Sequence, residues 1–196
     1  YDYWSDKVRG SILFDAKADI LVYGMGEKQI VDIAQALDKG TWREDLKEIR
    51  GICYISKDIP KGDSVICPSF EEVKADKMAF ADAFRLQYDE QDPYYGRRLV
   101  QAHGNRYLVQ NPPALPLTQE EMDDVYDLPY TRTWHPKYDS CGGVPALSEV
   151  QFSLVSHRGC FGSCSFCAIT NHQGRIIQNR SHQSLIDEAK RMISLD

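Results

Sequence analysis

Three of the six cysteines in this chain, Cys160, Cys164 and Cys167, lie within eight residues, with gaps of three and then two residues. Three thiolates this close together suit a soft metal ion or an iron–sulfur cluster, because thiolate sulfur is a soft ligand. A four-iron cluster held by three thiolates leaves one iron open to bind another molecule, as a catalytic metal site requires. A zinc site without its fourth ligand and three unrelated buried thiols are the alternatives.

The spacing also separates this run from that of a ferredoxin. A bacterial ferredoxin run has two residues in each of its first gaps, a fourth cysteine and then a proline. Here the first gap is longer, and neither a fourth nearby cysteine nor a following proline is present. The residues therefore favour a cluster with an open iron over a fully ligated electron carrier.

The elements on either side of the cysteines follow from the residue pattern. Apolar and polar side chains alternate from Val150 to Val155, which predicts a strand over residues 149–156. A polar loop follows the cysteines, and a helical pattern begins near Ser181. The cysteines are therefore expected in a loop after a strand and before a helix, where α/β folds carry catalytic groups.

The first forty residues contain one further strand and helix. Residues 18–23 predict a buried strand, Gly24 to Glu27 a turn, and the apolar spacing after it a helix that stops at Gly40. Together they predict the βα unit of a Rossmann-like sheet. Two glycines without the third are a weak phosphate-binding signal, so a tight turn into a helix is the favoured interpretation.

The middle of the chain predicts two hairpins and two capped helices. One hairpin is expected over residues 51–70, with Cys53 and Cys67 as structural thiols, and the other turns at Gly104-Asn105. Ser69 and Glu72 form a capping-box pattern before a helix expected to end near Pro93, with its buried face at Val73, Phe80, Phe84 and Tyr88. A second helix is expected after Thr118, followed by a linker that contains Cys141, whose thiol is interpreted as a bystander.

Composition places limits on the class of protein. The chain has 196 residues, 42% hydrophobic and 27% charged, which is typical of a soluble globular protein, and no apolar run reaches the length of a membrane span. The net charge of −6 argues against a nucleic-acid partner. Thiolates intended for iron must stay reduced, which predicts a cytoplasmic protein. The chain starts without Met and stops after a helix that would pack on a further strand, so we expect a segment of a longer protein.

Several runs of this sequence resemble one known family. The spacing of the cysteines, with Phe166 just before the last one, resembles the signature of radical S-adenosylmethionine (radical SAM) enzymes. The run from Arg158 to Thr170 with His172 to Arg175, together with three upstream runs, is similar to the YgiQ-type radical SAM family. The upstream runs are Tyr3 to Lys7, Ala18 to Glu27 and Arg106 to Ala114.

That resemblance implies an enzyme activity and its cofactors. Cys160, Cys164 and Cys167 would hold a [4Fe-4S] cluster, S-adenosylmethionine would chelate the fourth iron, and Phe166 would lie against the adenine. A reductant such as flavodoxin or ferredoxin would supply an electron, and cleavage of S-adenosylmethionine would give a 5′-deoxyadenosyl radical that acts on an unidentified substrate. Because the glycine-rich stretch that contacts the S-adenosylmethionine amino group would follow Asp196, this segment alone is expected to be inactive.

The resemblance also implies a division of an α/β chain into three parts. Residues 1–40 would be the end of a Rossmann-like domain similar to cobalamin-binding folds, although no cobalamin-ligating histidine motif is present. Residues 41–145 would be a mixed α+β region ending in a proline-rich linker. Residues 146–196 would form the first βα unit of the partial TIM-type barrel of radical SAM enzymes. An iron–sulfur electron-transfer module and a zinc-stabilised binding module are the alternative functions.

Four basic residues surround the cysteines in sequence. They could bind the carboxylate of S-adenosylmethionine or a substrate anion. The favoured interpretation is that they neutralise the negative cluster or are solvated. They are Arg158, His172, Arg175 and Arg180.

Overall fold

The computed structural model describes residues 1–41 and 47–194. The chain forms two compact units. Unit 1 comprises Tyr1–Leu115 and Gly162–Arg175, and unit 2 comprises Pro116–Phe161 and Ile176–Asp196. The segment that carries Cys164 and Cys167 is thus grouped with residues that lie far from it in sequence.

Strands and helices alternate along much of the chain, so the protein is α/β. The described strands are β1 Ile20–Val22, β2 Ile52–Ser56, β3 Ser64–Cys67, β4 Arg98–His103, β5 Arg106–Gln110, β6 His157–Arg158 and β7 Gln178–Asn179. The described α-helices are α1 Ile12–Asp15, α2 Glu27–Lys39, α3 Phe70–Ala75, α4 Lys77–Asp89, α5 Gln119–Asp127, α6 Leu147–Val150, α7 Ile169–Gln173 and α8 His182–Ile193, with a 3-10 helix over Pro136–Cys141. None of the described helices is long and apolar enough to cross a membrane.

Unit 1 is built on one five-stranded mixed sheet in the order β1-β2-β5-β4-β3. The β3–β4 pair is parallel, and the other neighbours are antiparallel. The predicted pair of strands turned at Gly104-Asn105 is confirmed as the β4–β5 hairpin. The Rossmann-like arrangement is not confirmed, because β1 runs antiparallel to β2 whereas a Rossmann unit has parallel neighbours.

Helix α2 supplies one side of the core of unit 1. Ile33 packs with Ile52, Tyr54 and Val109 of the sheet. The predicted helix and its stop are confirmed, because Gly40 caps α2 in the left-handed conformation with φ of 71°. A Cβ atom at Gly26 would lie 2.6 Å from Val22 Cγ1, so glycine at this position avoids a clash with the side chain of Val22.

The predicted hairpin over residues 51–70 is wrong, although both of its strands are present. Strand β2 pairs with β1 and β5, and strand β3 pairs with β4, so β5 and β4 lie between them. Cys53 of β2 therefore does not lie opposite Cys67 of β3. The turn-forming residues from Pro60 to Asp63 bend the chain, but they do not determine which strands pair. Strand pairing depends on the burial of apolar side chains in the sheet.

The capping box before α3 is confirmed. The Glu72 N–H donates to Ser69 Oγ at 3.2 Å, and the Ser69 N–H donates to Glu72 Oε2 at 2.7 Å. The predicted single helix is instead divided into α3 and α4, because Asp76 adopts an extended conformation and its side chain caps α4. On the predicted buried face Val73 is buried, Phe80 is half-buried, and Phe84 and Tyr88 are exposed.

Replacing Ser69 with Ala is expected to lower the free energy of unfolding by about 1 kcal/mol, because the N–H of Glu72 loses its acceptor. Urea denaturation followed by circular dichroism measures this change. Ser69→Thr keeps a hydroxyl acceptor and is the matched control, for which we expect parental stability. Equal midpoints for the Ala and Thr variants would show that the capping box does not stabilise unit 1.

Unit 2 combines a helix pair with a short strand pair. Helices α5 and α8 contact each other, and they contribute the buried residues Met122 and Met192. Strands β6 and β7 are antiparallel, with His157 opposite Asn179. The capped helix predicted after Thr118 and the helix predicted near Ser181 are confirmed as α5 and α8.

The predicted strand over residues 149–156 is wrong. Residues 147–150 form α6, and within the described chain only His157 and Arg158 of this region are in a strand. The side chains of Val150, Phe152 and Leu154 that gave the alternating pattern are all exposed. Alternation favours a strand only where a neighbouring strand supplies hydrogen bonds, and no described strand pairs with residues 149–156.

Candidate functional site

The three clustered cysteines lie in the stretch between β6 and β7. Cys160 follows β6 closely and belongs to unit 2, whereas Cys164 and Cys167 belong to unit 1. None of the three is in a disulfide; Cys164 is exposed, and Cys160 and Cys167 are half-buried. Disulfide bonding therefore does not consume these thiols.

The backbone around the cysteines turns sharply at two residues. Gly159 has φ of 88° and Ser163 has φ of 51°, a left-handed conformation that non-glycine residues rarely adopt. The Cys167 N–H donates to the Cys164 carbonyl oxygen at 3.0 Å, which closes a tight turn between these two cysteines. Within the described residues, no three His, Cys, Asp or Glu side chains are assembled in a metal-binding group. The thiol donors themselves suit iron and sulfide chemically.

The other cysteines lie in different surroundings. Cys53 and Cys67 are buried, and burial raises the pKa of the Cys53 thiol to about 12 and that of the Cys67 thiol to about 11. Such thiols are protonated at neutral pH and are poor metal ligands. Cys141 is exposed in the 3-10 helix of unit 2. The interpretation of Cys53 and Cys67 as structural thiols therefore agrees with their burial.

Aromatic side chains beside the cysteines point into solvent. Phe166, which the family resemblance assigns to adenine binding, is 90% exposed. Phe161 is exposed as well. An exposed aromatic ring can stack on a planar ligand.

Two of the four basic residues near the cysteines have structural roles in unit 2. The guanidinium carbon of Arg180 lies 4.2 Å from the centroid of the Tyr126 ring, and that of Arg158 lies 5.2 Å from it. Arg180 also donates a hydrogen bond to Glu188 Oε2. The other carboxylate oxygen of Glu188, Oε1, forms an ion pair with Arg132 Nη1 at 2.8 Å. Arg180 is fully engaged and is not available for a ligand anion.

The buried carboxylate of Glu188 was missed by the sequence analysis. Burial alone would raise the pKa of Glu188, but hydrogen bonds from Arg180 and Arg132 outweigh burial and lower it. A signal was present, because Glu188 falls between Leu185 and Met192 on the apolar stripe of α8. An acid on such a stripe requires buried cations as partners.

The other basic residues, His172 and Arg175, belong to unit 1. His172 is an exposed residue near the end of α7. The Arg175 guanidinium donates to Ser163 Oγ and lies 4.7 Å from the centroid of the Tyr88 ring. No local pattern predicts the contact between Tyr88 and Arg175, because these two residues are far apart in the chain.

Comparison with known proteins places the chain in a family. A family model described as Radical SAM N-terminal matches residues 1–153. The chain therefore belongs to the radical SAM N-terminal family, which confirms the resemblance found in its sequence. No solved structure matches the chain.

Curated relatives agree with this assignment. The chain is 56% identical over its whole length to a UPF0313 protein of Clostridium botulinum (strain 657 / Type Ba4), of which it covers 31%. It is 52% identical to a UPF0313 protein of Clostridium perfringens (strain 13 / Type A), covering 30% of it, and 56% identical to one of Methanocella arvoryzae, covering 32%. The chain thus spans about three tenths of the length of these relatives.

Proposed function

We propose that this chain is a segment of a radical SAM enzyme in which Cys160, Cys164 and Cys167 hold a [4Fe-4S] cluster. The observation that carries the proposal is the run of three cysteines with gaps of three and two residues and no disulfide, in a chain that belongs to the radical SAM N-terminal family. The contrast with Cys53 and Cys67 supports it, because burial disfavours their thiolates.

The cluster, when bound with S-adenosylmethionine, would supply the one-electron chemistry that yields a 5′-deoxyadenosyl radical. The residues of this chain would bind the cluster and orient S-adenosylmethionine. Cys160, Cys164 and Cys167 would hold the cluster through three of its irons, and the ring of Phe166, which is exposed, would lie against the adenine. The substrate contacts and the remaining S-adenosylmethionine contacts belong to the rest of the longer protein.

The finer assignments of fold, partner and location follow from this proposal. Residues 146–196 would begin the partial TIM-type barrel, with β6 extended by strands from the rest of the protein. Residues 1–40 would end a Rossmann-like domain, which requires further parallel strands beside β1. A flavodoxin or ferredoxin would donate the electron, and a reducing cytoplasm would keep the thiols free.

Anaerobic reconstitution with iron and sulfide tests the proposal. We expect a brown protein with about four irons and four sulfides per chain, because three thiolates are enough to hold a cubic cluster. S-adenosylmethionine added to the dithionite-reduced longer protein is expected to change the electron paramagnetic resonance spectrum and to yield 5′-deoxyadenosine. We expect no turnover from the 196-residue chain alone.

Three results would contradict the proposal in different ways. A colourless protein that retains zinc would indicate a zinc-stabilised module. A cluster whose spectrum ignores S-adenosylmethionine in the longer protein would indicate an electron carrier. A stoichiometric yield of 5′-deoxyadenosine from the 196-residue chain would show that the further strands are not required.

A further inference from the structure

We propose that Tyr88 and Gln91 are positioning residues that hold the cysteine segment, residues 162–175, against the end of α4. The segment belongs to unit 1 together with Tyr1–Leu115, although its neighbours on both sides in sequence belong to unit 2. Three contacts of unit 1 account for this, and all of them are made by residues that follow Cys167. The anchoring is argued from these contacts alone. Only the role of Cys164 and Cys167 as cluster ligands rests on the proposed function.

The first contact is a hydrogen bond between two amide side chains. Gln91 lies just beyond the end of α4, and its Nε2 donates to Asn171 Oδ1 at 2.9 Å. Asn171 is in α7, which begins two residues after Cys167. A side-chain bond between residues 80 positions apart in sequence fixes α7 relative to the body of unit 1.

The second contact is a cation–π interaction that also closes the cysteine segment on itself. Arg175 lies at the end of the segment, with its guanidinium carbon 4.7 Å from the centroid of the Tyr88 ring. The same guanidinium donates to Ser163 Oγ near the beginning of the segment. Tyr88 therefore supports the residue that joins the two ends of a loop containing both Cys164 and Cys167.

The third contact is a close approach between Gly24, in the turn before α2, and the backbone of the cysteine segment. Gly24 has φ of 73°, and a Cβ atom there would lie 3.4 Å from the backbone carbonyl oxygen of His172. The turn before α2 thus approaches the backbone of the cysteine segment closely. Gly24, Tyr88 and Gln91 come from two separate parts of unit 1 and contact residues 171–175 together.

These contacts have a direct consequence for two of the proposed cluster ligands. A loop held by rigid elements loses less conformational entropy when its thiolates bind a metal. Sites whose ligands are held by surrounding residues are also more precise than sites on free loops. The N-terminal family region would therefore prepare Cys164 and Cys167 for the cluster without itself ligating iron.

Hydrogen–deuterium exchange of the metal-free chain tests the anchoring directly. In the double variant Tyr88→Leu/Gln91→Ala, we expect the amides of residues 162–175 to exchange at least about fivefold faster, because a cation–π contact and a hydrogen bond are lost. The matched control is Tyr95→Leu/Gln87→Ala, which makes the same chemical changes at exposed positions near α4. Its exchange rates are expected to equal those of the parent.

The hydrogen bond has its own test in a double-mutant cycle. Gln91→Ala and Asn171→Ala should each speed exchange of the segment, and combining them should add little because they remove the same bond. Global unfolding in urea should be unchanged in these variants, since the contacts lie at the surface of unit 1. Iron release from the reconstituted chain to a chelator should be faster for the Tyr88/Gln91 variant than for its control.

The outcomes separate this inference from the proposed function. Parental exchange rates in the Tyr88/Gln91 variant, or fully additive effects in the cycle, would overturn the anchoring even if the chain binds a cluster. Faster exchange in a chain that binds no iron would support the anchoring and overturn the proposed cluster.

Discussion

Replacing any one of Cys160, Cys164 and Cys167 with Ala is expected to abolish the broad iron–sulfur absorbance of the reconstituted chain. Each thiolate would be one of only three protein ligands, and a cubic cluster with two protein ligands is not retained. None of the three is in a disulfide or fully buried, so their replacement leaves the buried core intact. Absorbance spectra with iron and sulfide analysis measure the loss.

The three remaining cysteines are the matched controls. Cys53→Ala, Cys67→Ala and Cys141→Ala should each retain the full absorbance, because the first two thiols are buried and strongly disfavour the thiolate form. Loss of the cluster in Cys141→Ala would identify Cys141 as a fourth protein ligand, and the proposal of an open iron would then be wrong. Retention of the cluster in any variant of the clustered three would remove that residue from the ligand set.

Glu188→Leu is expected to have the largest effect on stability, with a loss of about 3–5 kcal/mol in the free energy of unfolding. The substitution leaves the half-buried Arg132 and the buried Arg180 without their shared carboxylate, and Arg180 has no exposed side-chain surface. Unfolding of unit 2 in urea, followed by circular dichroism, measures the loss. Asp187→Asn is the neighbouring control and should change stability little, because its partner Lys190 is exposed.

The sign of the pH dependence gives a second measure of the same interaction. The pKa of Glu188 is lower in the folded chain than in the unfolded chain, so its stabilisation is present above the unfolded pKa and is lost as pH falls through the folded pKa. Glu188→Gln should therefore lose less stability than the parent over this acidic range. A parallel loss in both proteins would show that Glu188 is not paired in solution.

A compensated variant distinguishes the loss of pairing from a loss of packing. Replacing the whole triad, Arg132→Met/Arg180→Met/Glu188→Leu, removes the buried charges together and should recover much of the stability lost in Glu188→Leu. A triple variant no more stable than the single one would indicate that the geometry of α8, rather than uncompensated charge, determines the effect.

Local sequence signals predicted the longer helices of this chain and several of their caps. The Ser69 cap, the Thr118 cap and the Gly40 stop each depend on residues within one helical turn, and each is present. The single helix predicted through Asp76 was wrong. The Asp76 side chain caps α4 and so divides the predicted helix into two. A single side chain that accepts a hydrogen bond from the backbone N–H two residues later, as Asp76 does from Met78, can outweigh the helical spacing around it.

Signals that depend on distant partners were less informative. The turn at residues 60–63 correctly separated β2 from β3, but nothing near it showed that β5 and β4 would lie between them. Likewise, the alternation from Val150 to Val155 predicted a strand that has no partner among the described strands. Contacts such as Gln91 with Asn171 and Arg180 with Glu188 also require the fold to be known, whereas the spacing of the three cysteines could be read directly from the sequence.

The position of β5 at the centre of the sheet has a consequence for biosynthesis. It is the last of the five strands in chain order, yet it lies between β2 and β4. During translation, β1 and β2 leave the ribosome before β5, their central partner, which is complete only once residue 110 has been made. The β4–β5 hairpin, whose strands are adjacent in sequence, is therefore the expected folding nucleus. Unit 1 should therefore become resistant to protease abruptly, once β5 leaves the exit tunnel, and nascent chains that end before β4 should stay sensitive.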